Sequence, residues 1–400
     1  MRPDHNTKAK SLAFVDVTKT KEDEVELSVI AVHVDELKAT KKPRIVDKLT
    51  LFFKKQRPMF STQIAKQVAH FLQLQAKPLC LLYDKDLIND MTNLYAELLF
   101  NRDASENYFV CELQAALTNA RIIRSHGNNF YEMLKSSSAE VNNLAILSKI
   151  SQYVLDFIDN LEVSPLPASE LSTSATKERS CSPDTSEIQT HTGLDGTDET
   201  LVFVDLEAAG LPEENRLITE LCMIAINRRD LVQRNISKVT ENCDKLVLVI
   251  DPKHSITATA QALTHLTQAT IMRSEKQPIN KDVIQVIEDY LKRHRKPICF
   301  LAHGGNRFDF GVMRSQFRGL LDISSPFRGC KCADTLPAFR TLSWSRMRRE
   351  RNSLDAIYER YFPSDVRQDT HQAESDVVSL MKVVRFQLSV LDLLNKTIFM

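Results

Sequence analysis

The chain has 400 residues, with 52 Lys and Arg against 52 Asp and Glu, and is 43% hydrophobic. That length suggests two or three domains, and the zero formal charge excludes a strongly basic protein that coats nucleic acid non-specifically, while leaving room for a local basic patch. Nine glycines, with no G-x-G-x-x-G and no G-x-x-x-x-G-K-[ST], argue against a Rossmann dinucleotide site and a P-loop.

No apolar run approaches the ~18 residues of a membrane span, and MRPDHNTKAK lacks the apolar core of a signal peptide. The expectation is a cytoplasmic or nuclear chain with no signal peptide and no transmembrane anchor. The eight cysteines are scattered, mostly among apolar neighbours, as reduced thiols are. Cys330 and Cys332 lie close together, but no second ligand pair for zinc is near them.

In chain order, segments with apolar runs of the strand kind open the N-terminal part: SLAFVDVT at 11–18, ELSVIAVHVDEL at 26–37, VDKLTLFF at 46–53 and KPLCLLYDKDLIND at 77–90. Residues 163–199 then change character, with 13 Ser or Thr, three Pro and no aromatic residue. Such a stretch buries too little apolar area to offset its ordering entropy, so it reads as a disordered linker. Strands follow at LVFVDLEAAGLP (201–212), ITELCMIAI (218–226), KLVLVI (245–250) and KPICFLAH (296–303). Helical patterns run near 279–294, with Ile279, Val283, Ile284, Ile287 and Leu291 on one face, and at 309–321, 353–361 and 373–394. Strands followed by alternating helix and strand predict a mixed sheet with helices on both faces.

Asp205 and Glu207 fall on one face of a core strand, about 6.5–7 Å apart. Two readings are open for them alone: a strand end reaching solvent, or two acids around a cation. Asp309 opens a helix after a buried strand, and Asp376 sits beside an apolar helical stripe. Four carboxylates suit hard divalent cations, and two such ions can activate water and stabilise a leaving oxygen in phosphodiester cleavage. His371 and Asp376 are five apart, a rotation of about 140° on a helix, so His371 belongs on the preceding loop, where it can act as a general base.

VDLEAAGLP (204–212), LAHGGNRFDF (301–310) and HQAESD (371–376) resemble the three motifs of the DEDDh 3′→5′ exonucleases, in order and on the expected elements. Residues 200–395 are similar to the three-prime repair exonuclease family, whose motifs read close to DLEATGLP, AHNGDRYDF and HTAEGD. The resemblance implies an RNase H-like fold, two Mg²⁺ ions that Mn²⁺ can replace, and release of nucleoside monophosphates from single-stranded or frayed DNA 3′ ends. It makes Asp205, Glu207, Asp309 and Asp376 metal ligands and His371 the general base. It places Ala208 and Leu211 at the terminal nucleotide, Leu263 as an aliphatic wedge, and His303 and Phe308 at the substrate. Ala209, Gly304 and His265 stand where the family has Thr, Asn and Gly. In FRTLSWSRMRRERNS (339–353), Arg346, Arg348, Arg349 and Arg351 read as phosphate contacts or as a solvated loop. An RNA-directed exonuclease and a non-catalytic scaffold are the alternative functions.

The N-terminal segments align with the second part in the same order, at numbering offsets of 189, 194, 197, 219 and 234. Asp16 falls on Asp205 and Asp90 on Asp309, but Thr18 replaces Glu207, Asn142 replaces Asp376, Ser137 replaces His371 and Asp84 replaces His303. The expected architecture is therefore α/β, with two RNase H-like domains, each a mixed five-stranded sheet. Residues 11–162 form an inactive copy, 163–199 the linker and 200–396 the catalytic domain. The family resemblance implies dimers joined through the strand at 245–250. The expectation here is that 46–53 and 245–250 of one chain pair as a pseudo-dimer; otherwise two chains form a homodimer.

Overall fold

Aliphatic and β-branched runs of period two set the strands. They are seen in a computed structural model that describes residues 9–21, 24–39, 44, 46–54, 61–83, 94, 97–98, 108–112, 164–165, 199–210, 216–344, 351–365, 367 and 369–399. The strands are β1 (Ser11–Lys21), β2 (Glu24–His33), β3 (Val46–Lys54), β4 (Leu79–Tyr83), β5 (Tyr108–Glu112) and β6 (Ser164–Pro165), then β7 (Thr200–Ala208), β8 (Ile218–Asn227), β9 (Asp244–Val249), β10 (Ile298–Ala302), β11 (Lys331–Asp334) and β12 (Lys396–Ile398). The helices are α1 (Val34–Ala39), α2 (Thr62–Gln73), α3 (Arg228–Gln233), α4 (Ala258–Thr264), α5 (Gln268–Arg273), α6 (Lys281–Lys292), α7 (Asp309–Phe317), α8 (Thr335–Trp344), α9 (Leu354–Tyr361) and α10 (Ala373–Phe386).

All the described strands join one sheet in the order β12-β11-β10-β7-β8-β9-β3-β2-β1-β4-β5-β6. From the centre outward, each side runs third, second, first, fourth and fifth strand, then a short sixth. The sixth strands β6 and β12, which the sequence reading lacked, pair antiparallel with β5 and β11. At two and three residues they are too short for periodicity to reveal.

Both sides use one register. Ser11 pairs with His33 and Leu79, while Thr200 pairs with Asn227 and Ile298, which are the positions related by the sequence offsets 189, 194 and 219. At the centre β3 and β9 pair antiparallel through Lys48–Val247, Leu49–Leu246 and Thr50–Lys245. Leu49 and Leu246 are counterparts, 197 positions apart, and face each other, so a local two-fold relation passes through that pair. The ladder stops where two further counterparts, Asp47 and Asp244, intervene. Asp47 Oδ1 accepts the Val249 N–H at 2.8 Å, and Asp244 Oδ1 accepts the Phe52 N–H at 2.7 Å. Asp47 is also paired with Lys276 at 2.8 Å, with both side chains almost fully buried. Asp244 is paired with Arg293 at 2.9 Å.

One face of the sheet carries a core continuous through both halves, under Ile64, Val68 and Phe71 of α2 and Val283, Ile287 and Tyr290 of α6. A second cluster lies beneath Val377, Leu380 and Val384 of α10. Phe300 of β10 meets Phe327 and Phe399 at ring-centroid distances of 5.9 and 5.1 Å, and truncating such a residue to alanine costs about 3–5 kcal/mol. The Asn280 side chain caps α6 by accepting from Val283 N at 2.9 Å, which starts the helix after Ile279. The segment 339–353 is not all loop, because Phe339–Trp344 complete α8 and Phe339 is buried. The 373–394 pattern divides into α10 and a short 3₁₀ turn at Leu388–Asp392. Cys80, Cys222, Cys243, Cys299, Cys330 and Cys332 are free and buried. No helix among the described residues is long and apolar enough to cross a membrane. The linker and residues 139–147, the segment that the offset of 234 aligns with 373–381, lie almost wholly outside the described residues.

Candidate active site

The acids converge where three elements meet. β7 alternates so that Asp205 and Glu207 share a face while Val204, Leu206 and Ala208 are buried on the other. Asp309 is the first residue of α7 and is buried, and Asp376 lies in the first turn of α10. His371 precedes α10 at φ 61°, outside the helix. That break in the helical path brings the imidazole back, and one ligand atom each from Glu207, His371 and Asp376 lie within 4.8 Å of one another.

Crowding these acids in a dry place favours their neutral forms. Burial, and then the charges of Asp309, Asp376, Glu207 and Glu220, hold Asp205 well above the usual carboxylate range. Burial and Glu220 push Glu207 up to about 8, with Arg44 opposing. Asp309 rises to about 7, mainly by burial, although backbone hydrogen bonds from Leu206 and its own N–H restrain it. Burial raises Asp376 to about 6, held back by Arg367 and His371. A cluster of carboxylates that repel one another, with a neighbouring imidazole, suits a hard divalent cation, which would supply the missing positive charge. The residues present fit such a group.

Several charged residues around this cluster were invisible to motif reading. Glu220 pairs opposite Glu207 in β8 and is nearly fully buried. Arg44, from the first half, grips it with two hydrogen bonds of 2.9 and 2.6 Å and also donates to Thr264 O at 3.0 Å. Glu220 Oε2 accepts the Ala373 N–H at 3.1 Å, fixing the start of α10. Glu374 is held by Lys48 of β3 and, at 2.7 Å, by Lys245 of β9. Burial alone would raise Glu374, but Lys245 and Lys48 prevail and hold it below the carboxylate range. The signal for Glu220 was present in ITELCMIAI, an acid inside an otherwise apolar strand. Nothing local marked Arg44 or Lys48.

The remaining expected site residues fall as follows. The His303 ring is engaged on both nitrogens, with Thr335 Oγ1 at 3.0 Å and Asn352 O at 2.8 Å, so it braces the loop that leads to Asp309. Burial lowers its pKa. Gly304 stands at φ 82°, a conformation that asparagine also tolerates. At Gly305 a Cβ would lie 2.7 Å from both Ala302 Cβ and the Phe310 ring. Phe308 precedes α7 and packs partly buried on the core. Ala208 is buried at the end of β7, and Leu263 on α4 is 43% exposed. Arg351 is exposed. Leu211, Arg346, Arg348 and Arg349 lie outside the described residues, as do Asp84, Asp90, Ser137, Asn142 and the side chains of Asp16 and Thr18.

No family model matches the chain. Among curated proteins it is 34% identical over 196 residues to human three prime repair exonuclease 2, covering 46% of this chain and 82% of that protein. It is 30% identical over 205 residues to three-prime repair exonuclease 1 of Bos taurus, covering 48% of this chain. The chain thus spans 64% of the length of the bovine relative, a little under two thirds. Among solved structures, E. coli exonuclease I in complex with a dA16 oligonucleotide aligns with a TM-score of 0.37 and 17% identity, over 49% of this chain and 42% of that one.

Proposed function

The chain belongs to the three-prime repair exonuclease family, and from that premise we propose that it is a metal-dependent 3′→5′ DNA exonuclease releasing nucleoside 5′-monophosphates. The observation that carries this reading is the convergence of Glu207, His371 and Asp376 from β7 and the start of α10, beside Asp205 and Asp309. Asp205, Glu207, Asp309 and Asp376 would hold two Mg²⁺ ions, for which Mn²⁺ would substitute. Bound in pairs, such ions activate a water molecule and neutralise charge on the leaving oxygen of a phosphodiester. His371 takes the proton of the attacking water at an imidazole nitrogen and passes it to solvent. Leu263, exposed on α4, stacks beside the terminal base, and Ala208 and Leu211 line the terminal nucleotide without reading base edges. Phe308 and the His303 loop border the substrate, and Arg346, Arg348, Arg349 and Arg351 contact phosphates.

Residues 11–162 serve as an inert copy of the catalytic domain at 200–396 and pair with it as a pseudo-dimer. Support comes from the isologous Leu49–Leu246 pairing and from the reach of Arg44 and Lys48 toward Glu220 and Glu374. An apolar edge strand that would otherwise recruit another chain is covered in this way. Buried free cysteines fit a cytoplasmic or nuclear setting.

A 3′-labelled single-stranded DNA oligomer incubated with Mg²⁺ tests the activity. Labelled mononucleotide should appear, and should not appear with EDTA or with Asp205→Ala. A matched RNA oligomer degraded faster than the DNA would replace the DNA reading with the RNA-directed one.

A further inference from the structure

We propose that Arg367 is the positioning residue for Asp376: its guanidinium holds one oxygen of that carboxylate and leaves the other to a divalent cation. The inference rests on the metal assignment above and assigns a role to a residue outside the three motifs.

Arg367 lies between α9 and α10, and its side chain is 8% exposed. It joins three acceptors: Asp355 in the first turn of α9, Asp376 Oδ1, and Ser379 Oγ at 3.0 Å. Asp376 and Ser379 are three apart on α10 and so share a face, along which the planar guanidinium lies. A carboxylate offers two oxygens and about four lone-pair sites, so a bond to Oδ1 leaves Oδ2 with its full capacity. Guanidinium does not deprotonate in proteins, so its charge beside Oδ1 is kept across the working pH range. Asp355, 49% exposed, balances the added charge. The four site acids therefore still match two dications, and Arg367 does not compete with metal for net charge. Outer partners of this kind orient metal ligands, and their loss typically weakens metal binding.

The test is Mn²⁺ binding to the full chain, measured by titration calorimetry without nucleic acid, alongside steady-state cleavage of a DNA oligomer. Arg367→Gln should weaken Mn²⁺ binding by roughly 10–100-fold and lower kcat, with the KM for DNA changed less than about twofold. Arg367→Lys should recover part of the affinity, since an ammonium retains the charge but not the fork. Asp355→Asn should stay within about twofold of wild type, because it leaves the Asp376 contact in place. Unchanged or tighter Mn²⁺ binding in Arg367→Gln, with Asp376→Asn showing the expected loss, would overturn this inference alone. Wild-type binding in Asp376→Asn would overturn the metal assignment and this inference with it. If Arg367→Gln does not fold, Arg367→Lys decides: weaker binding supports the role, and wild-type binding with wild-type kcat refutes it.

Discussion

Replacing Arg44 by alanine removes the guanidinium that holds both oxygens of Glu220, a side chain 4% exposed, while Arg44 itself is 17% exposed. Breaking a buried ion pair from one side costs about 3–5 kcal/mol, because the remaining charge is left uncompensated. Glu220 keeps its 3.1 Å bond from Ala373 N, which places the expected loss near the lower end, about 3 kcal/mol. Arg44 also restrains the proton affinity of Glu207, so its removal raises a pKa that already stands at about 8. Protons then compete harder for that acid, and the Mg²⁺ concentration for half-maximal cleavage at pH 7 rises. Urea unfolding of Arg44→Ala, Glu220→Gln and the double variant reads the effect. In the double variant the buried charge is gone, so it should be more stable than the sum of the single losses by about 1–3 kcal/mol. Strict additivity would show that the two side chains do not interact, and would refute the link between the first half and the site.

Without metal, Glu207, Asp309 and Asp376 have folded pKa values of about 8, 7 and 6 against ordinary values of 4.5, 3.8 and 3.8. Groups raised in this way bind protons more readily when folded, so their stabilisation is full below the ordinary values and is lost as pH climbs through the raised ones. The melting temperature in EDTA should fall from pH 5 to pH 8 less steeply in Glu207→Gln than in wild type, and Mg²⁺ should restore the wild type at pH 8; equal slopes would contradict this. Asp205→Ala, Asp309→Ala and Asp376→Asn should abolish metal-dependent cleavage, and full turnover by Asp376→Asn would remove it from the ligand set. His371→Ala should slow cleavage by roughly 10²–10⁴-fold with little change in DNA affinity; an unchanged rate at saturating DNA would reassign it to structure. Neutralising Arg346, Arg348, Arg349 and Arg351 together should flatten the salt dependence of DNA binding, because fewer counterions are released, and an unchanged slope would favour a solvated loop.

What the sequence determined by itself is local or repeated. Period-two runs such as TLVFVDLE place β7 and its two acids, and an amphipathic stripe places α6, because burial on one face leaves its spacing in the chain. The repeated segments and their offsets were legible too, and the equal registers of the two halves agree with them, since a one-residue slip would turn every buried side chain outward. Only the folded chain decided which charges meet. Arg44 and Glu220 are 176 positions apart, and Lys48 and Glu374 are 326 apart. The His371 ring reaches the acids through a positive-φ residue that no periodicity records. His303, a substrate residue by motif, has both ring nitrogens taken by Thr335 and Asn352. Hydrophobic pattern specifies which face is buried, but the strength of a charge pair depends on separation and on water exclusion, and those are set when distant strands come together.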